Sequence, residues 1–325
     1  MERYGFGSAS ARLVSGNTEL HEELEERIAR FKGTEAALVF NSGYAANTGI
    51  IPALAGEGDA LFSDSLNHAS IIDGCRLSRA RTFVYRHGEL DHLESLLRQH
   101  PSRRRLIVTD GVFSMDGDIA PLPGLVVLAE RYDALLMVDD AHATGVLGSG
   151  GKGTAEHFGL EGRVPVQMGT LSKALGCFGA YVTGSRHLIR FLMHAARSFV
   201  YSTSLPPPVC AASIASLDAM AAEPWRRERL WRNRARLAEG LAVKGLGIGR
   251  SETPIVPVLV GDAGRALVVA NRLYDEGIYA PSIRPPTVPA GSSRIRTTIM
   301  ATHEDRHLDR VLDLFGALVG EGLFS

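Results

Sequence analysis

Three short polar segments follow apolar runs and carry side chains that could do chemistry. In the first, Asp139-Asp140-Ala141-His142, two carboxylates and a histidine come directly after a wholly apolar run. A carboxylate at such a place could bind a metal, orient a histidine or pair with a cationic ring nitrogen. The ordinary alternative is an aspartate that caps a strand before a solvent-facing loop. This segment alone leaves all of these alternatives open.

The second segment, residues 169–176, places two hydroxyl residues before Lys173 in a turn of small residues. Backbone N–H groups and hydroxyls in such a turn can approach a phosphate closely, with the lysine beside it. The spacing GxxxxGK[ST] is absent, so the segment is not a P-loop. A lysine in a loop is usually a solvated charge, but only 3 other lysines occur in the chain, against a large excess of arginine. This scarcity favours a specific role for Lys173.

The third segment is Asn41-Ser42-Gly43-Tyr44, at a predicted junction between a strand and a helix. Exposed N–H groups at a helix start suit an anion, although simple capping by Asn41 or Ser42 explains the same residues. A lysine, a strand-end carboxylate and phosphate-suited helix starts together make the set that a pyridoxal 5'-phosphate (PLP) enzyme needs. The lysine forms an imine with the cofactor, and the carboxylate keeps the pyridine nitrogen protonated so that the ring can accept electrons.

The elements that must position these segments alternate between short apolar strands and amphipathic helices. Strands are predicted near residues 36–40, 59–62, 82–85, 105–109, 134–138, 164–168 and 180–183. Alternation with helices predicts parallel βαβ units, and hence an α/β fold with a mostly parallel sheet covered on both faces. Ligands of such sheets collect at the carboxyl ends of the strands. Three consecutive prolines at 206–208 predict a boundary between a large PLP-binding domain, residues 1–208, and a smaller α+β domain, residues 209–325.

Composition excludes several other classes of protein. A formal net charge of −1 gives no electrostatic reason to expect nucleic acid or a membrane surface as a partner. The three cysteines are widely spaced and odd in number, which predicts reduced thiols, no metal site and a cytoplasmic location. No secretory signal is recognisable at the start, and no apolar run is long enough to span a membrane.

The chain resembles the α-oxoamine synthases, which are PLP-dependent enzymes of fold type I, and within them the branch of the 8-amino-7-oxononanoate synthases. The resemblance covers essentially the whole chain. It is carried by SLNHAS at 65–70, GVFSMDGD at 111–118, DDAHATG at 139–145, TLSK at 170–173 and IRPPTVP at 283–289. The last of these motifs most resembles the oxononanoate synthase branch.

The resemblance implies roles for the residues around the cofactor ring. Lys173 would form the Schiff base with PLP and later act as the acid–base group at the substrate Cα. Asp139 would pair with the pyridine nitrogen. His68 would stack on the ring face, and its ordinary alternative is a hydrogen-bonded core histidine. His142 together with Ser114 would bind the phenolic oxygen of the ring.

The resemblance also implies how the cofactor phosphate is held. The amides of Gly43 and Tyr44 and the hydroxyl of Thr170 would bind it. Ser202 and Thr203 would reach the phosphate of a neighbouring subunit, since the family forms homodimers with shared active sites.

On the substrate side, the implied residues are Arg284, whose bidentate guanidinium would bind the amino-acid carboxylate, and Thr287. The implied reaction is a decarboxylative condensation of L-alanine with a pimeloyl thioester, on coenzyme A or a carrier protein, in biotin synthesis. Two alternatives remain: a sibling synthase such as glycine C-acetyltransferase, and a non-catalytic or truncated subunit. The second follows from an expectation that the family's N-terminal segment is missing, because the chain begins well inside the family pattern.

Overall fold

The computed structural model describes residues 1–324. They form two compact units. The first consists of Met1–Val112 and Ala120–Glu223, and the second consists of Phe113–Ile119 and the chain from Pro224 onward.

A seven-stranded sheet forms the centre of the first unit. Its strands are β1 (Ala36–Phe40), β2 (Ala60–Asp64), β3 (Arg81–Tyr85), β4 (Arg105–Asp110), β5 (Ala134–Asp139), β6 (Val166–Thr170) and β7 (Ala180–Gly184). Their order across the sheet is β1-β7-β6-β5-β4-β2-β3, and β7 alone runs antiparallel to its neighbours. The predicted mostly parallel sheet is therefore confirmed.

Helices cover both faces of this sheet. They are α1 (Glu19–Lys32), α2 (Gly43–Leu54), α3 (Ala69–Leu77), α4 (Leu90–Gln99), α5 (Leu122–Arg131), α6 (Thr154–His157), α7 (Arg186–Ala195), α8 (Arg197–Val200) and α9 (Pro207–Ala222). Alternate residues of β1 point to opposite faces, as the twofold period of a strand requires. Leu38 joins the core under α2, α3, α7 and α8, whereas Val39 joins the core under α1 and α9.

Helix α1 shows why the sequence signals its ends so clearly. Thr18 precedes it in an extended conformation, and the Thr18 amide donates to Nδ1 of His21 at 3.2 Å. Gly33 ends the helix with φ at +70°, a left-handed conformation that favours glycine. The apolar run of β1 follows at once, so this helix and strand were predicted within a residue of their ends.

The second unit has an antiparallel sheet and three helices. The strands are β8 (Ile255–Gly261), β9 (Ser282–Ile283) and β10 (Ser293–Thr298), in the order β8-β10-β9. The helices are α10 (Trp225–Val243), α11 (Ala263–Asp275) and α12 (Asp305–Gly320). Val256, Ile295 and Phe315 lie in their shared core. This arrangement is the α+β organisation predicted for the smaller domain.

The division into units differs from the predicted boundary between residues 208 and 209 in two ways. Helix α9 belongs to the first unit, because Cys210 and Leu217 pack into the core that contains Leu24 of α1. The segment Phe113–Ile119 belongs to the second unit, although the chain on either side lies in the first. The carbonyl of Gly117 there accepts hydrogen bonds from the Glu252 amide at 3.0 Å and the Thr253 hydroxyl at 2.9 Å.

Among residues 1–324, no helix combines the length and the apolar character needed to cross a bilayer.

Candidate active site

Three neighbouring strands of the first unit end in polar residues at one edge of the sheet. β4 ends at Asp110, β5 at Asp139 and β6 at Thr170. Asp110 and Asp139 are partners in the parallel register of β4 and β5. Both carboxylates are buried, at 5% and 3% exposure. The carboxyl edge of the sheet thus carries two carboxylates and a hydroxyl in adjacent positions.

The Asp139 carboxylate is held by two N–H donors. The Ala141 amide donates to Oδ1 at 2.9 Å, and Nδ2 of Asn47 donates to Oδ2 at 2.7 Å. Burial raises the pKa of Asp139, while the Asn47 and Ala141 hydrogen bonds and the charges of Lys173 and His68 act in the opposite direction. A cationic partner such as a protonated ring nitrogen would offset the cost of burying this charge.

A chain of side chains joins Asp139 to His68. Nδ2 of Asn47, in α2, also donates to Oγ of Ser70 at 2.9 Å. Oγ of Ser70 lies 2.7 Å from Nδ1 of His68, and the Ser70 amide donates to the same nitrogen at 3.2 Å. His68 is the N-cap of α3 and its side chain is exposed. The hydrogen bonds hold one edge of the imidazole ring and leave the ring accessible.

Asp110 has a different environment from Asp139. Its Oδ2 accepts from the His68 amide at 2.7 Å, and its own amide donates to Oδ1 of Asn67 at 2.8 Å. Burial raises the pKa of Asp110 well above its usual range, and the neighbouring charge of Asp139 raises it further. Asp110 therefore supports the backbone of His68 rather than supplying a second charged group.

Lys173 lies in the turn that joins β6 to β7. The turn is closed by hydrogen bonds from the Leu171 amide to the Gly179 carbonyl at 2.9 Å and from the Cys177 amide to the Leu171 carbonyl at 2.8 Å. The Lys173 side chain is exposed, and its positive charge acts to lower the pKa of both Asp110 and Asp139. The structure thus brings the predicted lysine and the predicted carboxylate to the same edge of one sheet.

The start of α2 forms a small cradle beside Thr170. Ser42 caps the helix by accepting from the Ala45 amide, and its carbonyl accepts from the Ala46 amide. The amides of Gly43 and Tyr44 come before these and have no partner within the helix. A Cβ on Gly43 would lie 2.9 Å from Cγ2 of Thr170. Only glycine therefore fits here without displacing the threonine, and the cradle suits a phosphate.

Ser202 and Thr203 lie beside this cradle in the same chain. Nδ2 of Asn41 donates to Oγ of Ser202 and to the carbonyl of Thr203, both at 2.7 Å. Their predicted role toward a neighbouring subunit stays a prediction.

The other predicted residues fall in two places. His142 is half-buried in the turn after β5, in the first unit. Ser114, Arg284 and Thr287 belong to the second unit. There the Ser114 carbonyl accepts from Nε of Arg296 at 2.6 Å, and the Thr287 amide donates to the Arg284 carbonyl at 3.0 Å. The roles of these four residues stay predictions.

Sequence reasoning missed Asn47, Ser70 and Asp110 as members of the site. Ser70 lies inside a motif that was recognised, and Asp110 ends a strand just as Asp139 does. Asn47 gives a weaker signal, since it is one of only a few polar residues in the largely apolar helix α2. An asparagine with no exposed surface must be hydrogen-bonded to something, but the sequence does not say to what.

A buried ion pair lies next to the site. Nζ of Lys32, at the end of α1, is 3.0 Å from Oδ2 of Asp140, and both side chains are at most 1% exposed. The Thr154 hydroxyl donates to Oδ1 of Asp140 at 2.6 Å. This ion pair anchors the residue that follows Asp139. In residues 1–324 no group of three or more histidine, cysteine, aspartate or glutamate side chains is arranged to hold a metal ion.

The profile of the aminotransferase class I and II family matches residues 2–315. The chain belongs to this family. The 8-amino-7-oxononanoate synthase of Geobacter sulfurreducens is 58% identical over 315 residues, which are 96% of this chain and 81% of that protein. The predicted resemblance to this branch is confirmed.

Solved structures give the same result. Serine palmitoyltransferase from S. paucimobilis with a bound PLP–myriocin aldimine has a TM-score of 0.95 and 36% identity, covering 99% of this chain and 81% of its own. The 8-amino-7-oxononanoate synthase of Francisella tularensis has a TM-score of 0.85 and 28% identity, covering 99% and 91%. The predicted fold type I of PLP-dependent transferases is confirmed.

Proposed function

We propose that this chain condenses L-alanine with pimeloyl-CoA, or a pimeloyl carrier protein, to give 8-amino-7-oxononanoate, the free thiol and CO₂ in biotin synthesis. The observation that carries the proposal is the arrangement of Lys173 and Asp139 at one sheet edge in a chain 58% identical to a synthase of this name. The cofactor is PLP.

The residues of the first unit fit PLP. The Gly43 cradle suits a phosphate because the first amides of α2 have no partner within the helix, and because glycine carries no Cβ, which would lie 2.9 Å from Cγ2 of Thr170. Asp139 offers a buried carboxylate to the pyridine nitrogen, and Lys173 offers the amine that binds the aldehyde. When bound, PLP supplies the electron sink that stabilises a carbanion at the amino-acid Cα.

The chain's own groups then have separate tasks. Asp139, fixed by Asn47 and the Ala141 amide, keeps a proton on the ring nitrogen. Lys173 Nζ takes the proton from Cα of L-alanine and returns one to Cα after decarboxylation. Such acid–base help is worth ~10²–10⁴-fold in rate. His68 would pack on the ring face and limit the access of water to it.

The remaining predicted residues are proposed for recognition. His142 and Ser114 would bind the phenolic oxygen, and Arg284 with Thr287 would bind the substrate carboxylate. Replacing Arg284 by lysine, which cannot form the same bidentate fork, should raise KM for L-alanine more than it lowers kcat.

The decisive assay measures release of coenzyme A thiol from pimeloyl-CoA with L-alanine, together with ¹⁴CO₂ from carboxyl-labelled L-alanine. The two products should appear in equal amounts with the wild-type protein, and neither should appear with Lys173→Ala. A PLP-loaded wild-type protein that releases neither product would refute the proposal.

A sibling synthase is the second candidate, because the TM-score to serine palmitoyltransferase is 0.95, against 0.85 for the Francisella tularensis synthase. A panel of glycine, L-serine and L-alanine against acetyl-, pimeloyl- and palmitoyl-CoA separates the candidates. The first proposal requires the highest kcat/KM for L-alanine with pimeloyl-CoA.

We also propose that the chain works as a cytoplasmic homodimer, with Ser202 and Thr203 reaching the partner's phosphate. Mixing inactive Lys173→Ala with inactive Thr203 variants tests shared sites, since partial recovery of activity in the mixed dimer requires residues from both chains. The cytoplasmic location rests on the free cysteines, Cys75, Cys177 and Cys210.

A further inference from the structure

The hydrogen bonds between Asp139 and His68 have a definite direction. The amide group of Asn47 has two N–H bonds, and the structure uses both: one donates to Oδ2 of Asp139 at 2.7 Å and the other to Oγ of Ser70 at 2.9 Å. Oγ of Ser70 therefore accepts from Asn47, and its own hydroxyl hydrogen is left for Nδ1 of His68, 2.7 Å away.

The backbone fixes the same direction independently. The Ser70 amide donates to Nδ1 of His68 at 3.2 Å, and a backbone N–H can only donate. Nδ1 of His68 is thus an acceptor for two donors, which places the ring proton on Nε2. The Ser70 hydroxyl and the Ser70 amide thus favour the same tautomer of His68.

The orientation of Asn47 comes at a cost. Its Oδ1 is buried and has no hydrogen-bond partner among the described residues. A buried acceptor without a partner is destabilising, because it has lost its hydrogen bonds to water. Turning the amide over would place Oδ1 against the Asp139 carboxylate, so the observed orientation is the one that serves the carboxylate.

We propose that Asn47 is a positioning residue, which aims the Asp139 carboxylate and orients the Ser70 hydroxyl as a second donor to Nδ1 of His68, beside the Ser70 amide. One amide then fixes both of the groups that would face the cofactor. This inference rests on the proposed function only for the statement that Asp139 and His68 face PLP.

The matched control is Asn233 in the second unit. It is buried at 1% exposure, its Nδ2 donates to two carbonyls, and its Oδ1 also lacks a partner among the described residues. Asn47→Ala and Asn233→Ala each remove two hydrogen bonds from a buried site. Both should therefore destabilise the chain, Asn47→Ala the more because one of its hydrogen bonds ends on a carboxylate, and urea unfolding measures both losses.

The test compares wild type, Asn47→Ala and Asn233→Ala in two measurements. The first is the dissociation constant of PLP, from titration of the cofactor-free protein. The second is the ¹⁵N NMR shift of the His68 ring nitrogens without cofactor, assigned with His68→Gln. Asn47→Ala should bind PLP about 10–100-fold more weakly, the loss expected for one hydrogen bond to a charged group, and should move the His68 shifts. Asn233→Ala should do neither.

The proposal is overturned if Asn47→Ala binds PLP within twofold of wild type, or if both variants weaken PLP binding equally. Should Asn47→Ala not fold, Ser70→Ala takes its place. It keeps the contact from Asn47 to Asp139, so only the His68 shifts should move, and unchanged shifts would overturn the proposal. Wild type that binds PLP but does not turn over L-alanine with pimeloyl-CoA would refute the proposed function and leave this inference standing.

Discussion

At the scale of single residues, two carboxylates lie side by side at the ends of β4 and β5 and have different tasks. Asp139 accepts hydrogen bonds from two N–H groups, and in the proposed mechanism it faces the ring nitrogen of the cofactor. Asp110 accepts a hydrogen bond from the His68 amide. Its pKa lies well above the usual range because of burial and the neighbouring charge of Asp139. A raised pKa means that the folded chain keeps this proton where the unfolded chain has lost it.

Asp110→Asn should therefore change stability in a pH-dependent way. The contribution of Asp110 to the unfolding free energy falls as pH rises from about 3.9, the pKa of an unfolded aspartate, toward the raised folded value. Asparagine keeps an acceptor for the His68 amide and does not titrate. The cofactor-free variant should be more stable than wild type at pH 8, with a smaller difference near pH 4, as measured by urea unfolding.

Asp59→Asn is a control for which the change in stability with pH should have the opposite sign. Burial acts to raise the pKa of Asp59, but the Gly56 amide with Arg104 and Arg103 outweighs burial and lowers it. The contribution of Asp59 is present at neutral pH and lost as pH falls, so this variant should be less stable than wild type at pH 8. The same pH trend in both variants would contradict the account of Asp110.

At the scale of elements, the start of α2 and the ends of β5 and β6 form the site. The positions of these elements could be predicted because their signals are local: the apolar residues of β1, the turn at Gly43 and the polar residues after β5 are each visible in the sequence. The link from Asn47 to Asp139 could not be predicted, because it joins residues 92 apart and depends on how α2 packs on the sheet.

Gly43→Ala tests the cradle at the start of α2. The added methyl group would lie 2.9 Å from Cγ2 of Thr170, so either the start of α2 or Thr170 must move. The free energy of unfolding should fall by about 1–3 kcal/mol, as for other overpacked sites, and PLP should bind more weakly. Gly56→Ala is the control, since its Cβ would meet no atom closer than 3.9 Å. Equal PLP affinity in the two variants would exclude the cradle.

Lys32→Met tests the ion pair between α1 and the turn after β5. Removing one partner of a buried pair leaves an uncompensated charge, here on Asp140, and typically costs about 3–5 kcal/mol. The double variant Lys32→Met with Asp140→Asn carries no such charge, so it should lose less stability than the sum of the two single variants. Additive losses in urea unfolding would show that the two groups are not coupled.

At the scale of the whole molecule, the chain leaves the first unit at Phe113 and returns at Ala120. Most of the motif that contains Ser114, residues 113–118, therefore belongs to the second unit, whereas residues 111 and 112 belong to the first. The order of residues in the sequence does not predict this division. Gly117 lies in this segment and has a φ of +73°. A Cβ added to it would lie 2.3 Å from the Ile255 carbonyl oxygen.

Gly117→Ala should destabilise the second unit by about 3 kcal/mol, from the left-handed conformation together with the contact to backbone. Gly249→Ala has a similar φ of +62° and no atom within 4 Å of the added Cβ, so it should cost only about 1–2 kcal/mol. Hydrogen exchange of the amides in β8 and β10 measures both. Equal effects would show that the contact with Ile255 is unimportant.

The central claim is that Lys173 is the lysine that binds PLP. Reduction of the PLP-loaded protein with borohydride, followed by digestion and mass spectrometry, locates the phosphopyridoxyl group on the chain. We expect modification of Lys173 and of no other lysine. A group attached instead to Lys32, Lys152 or Lys244, or no attachment in PLP-saturated protein, would contradict it.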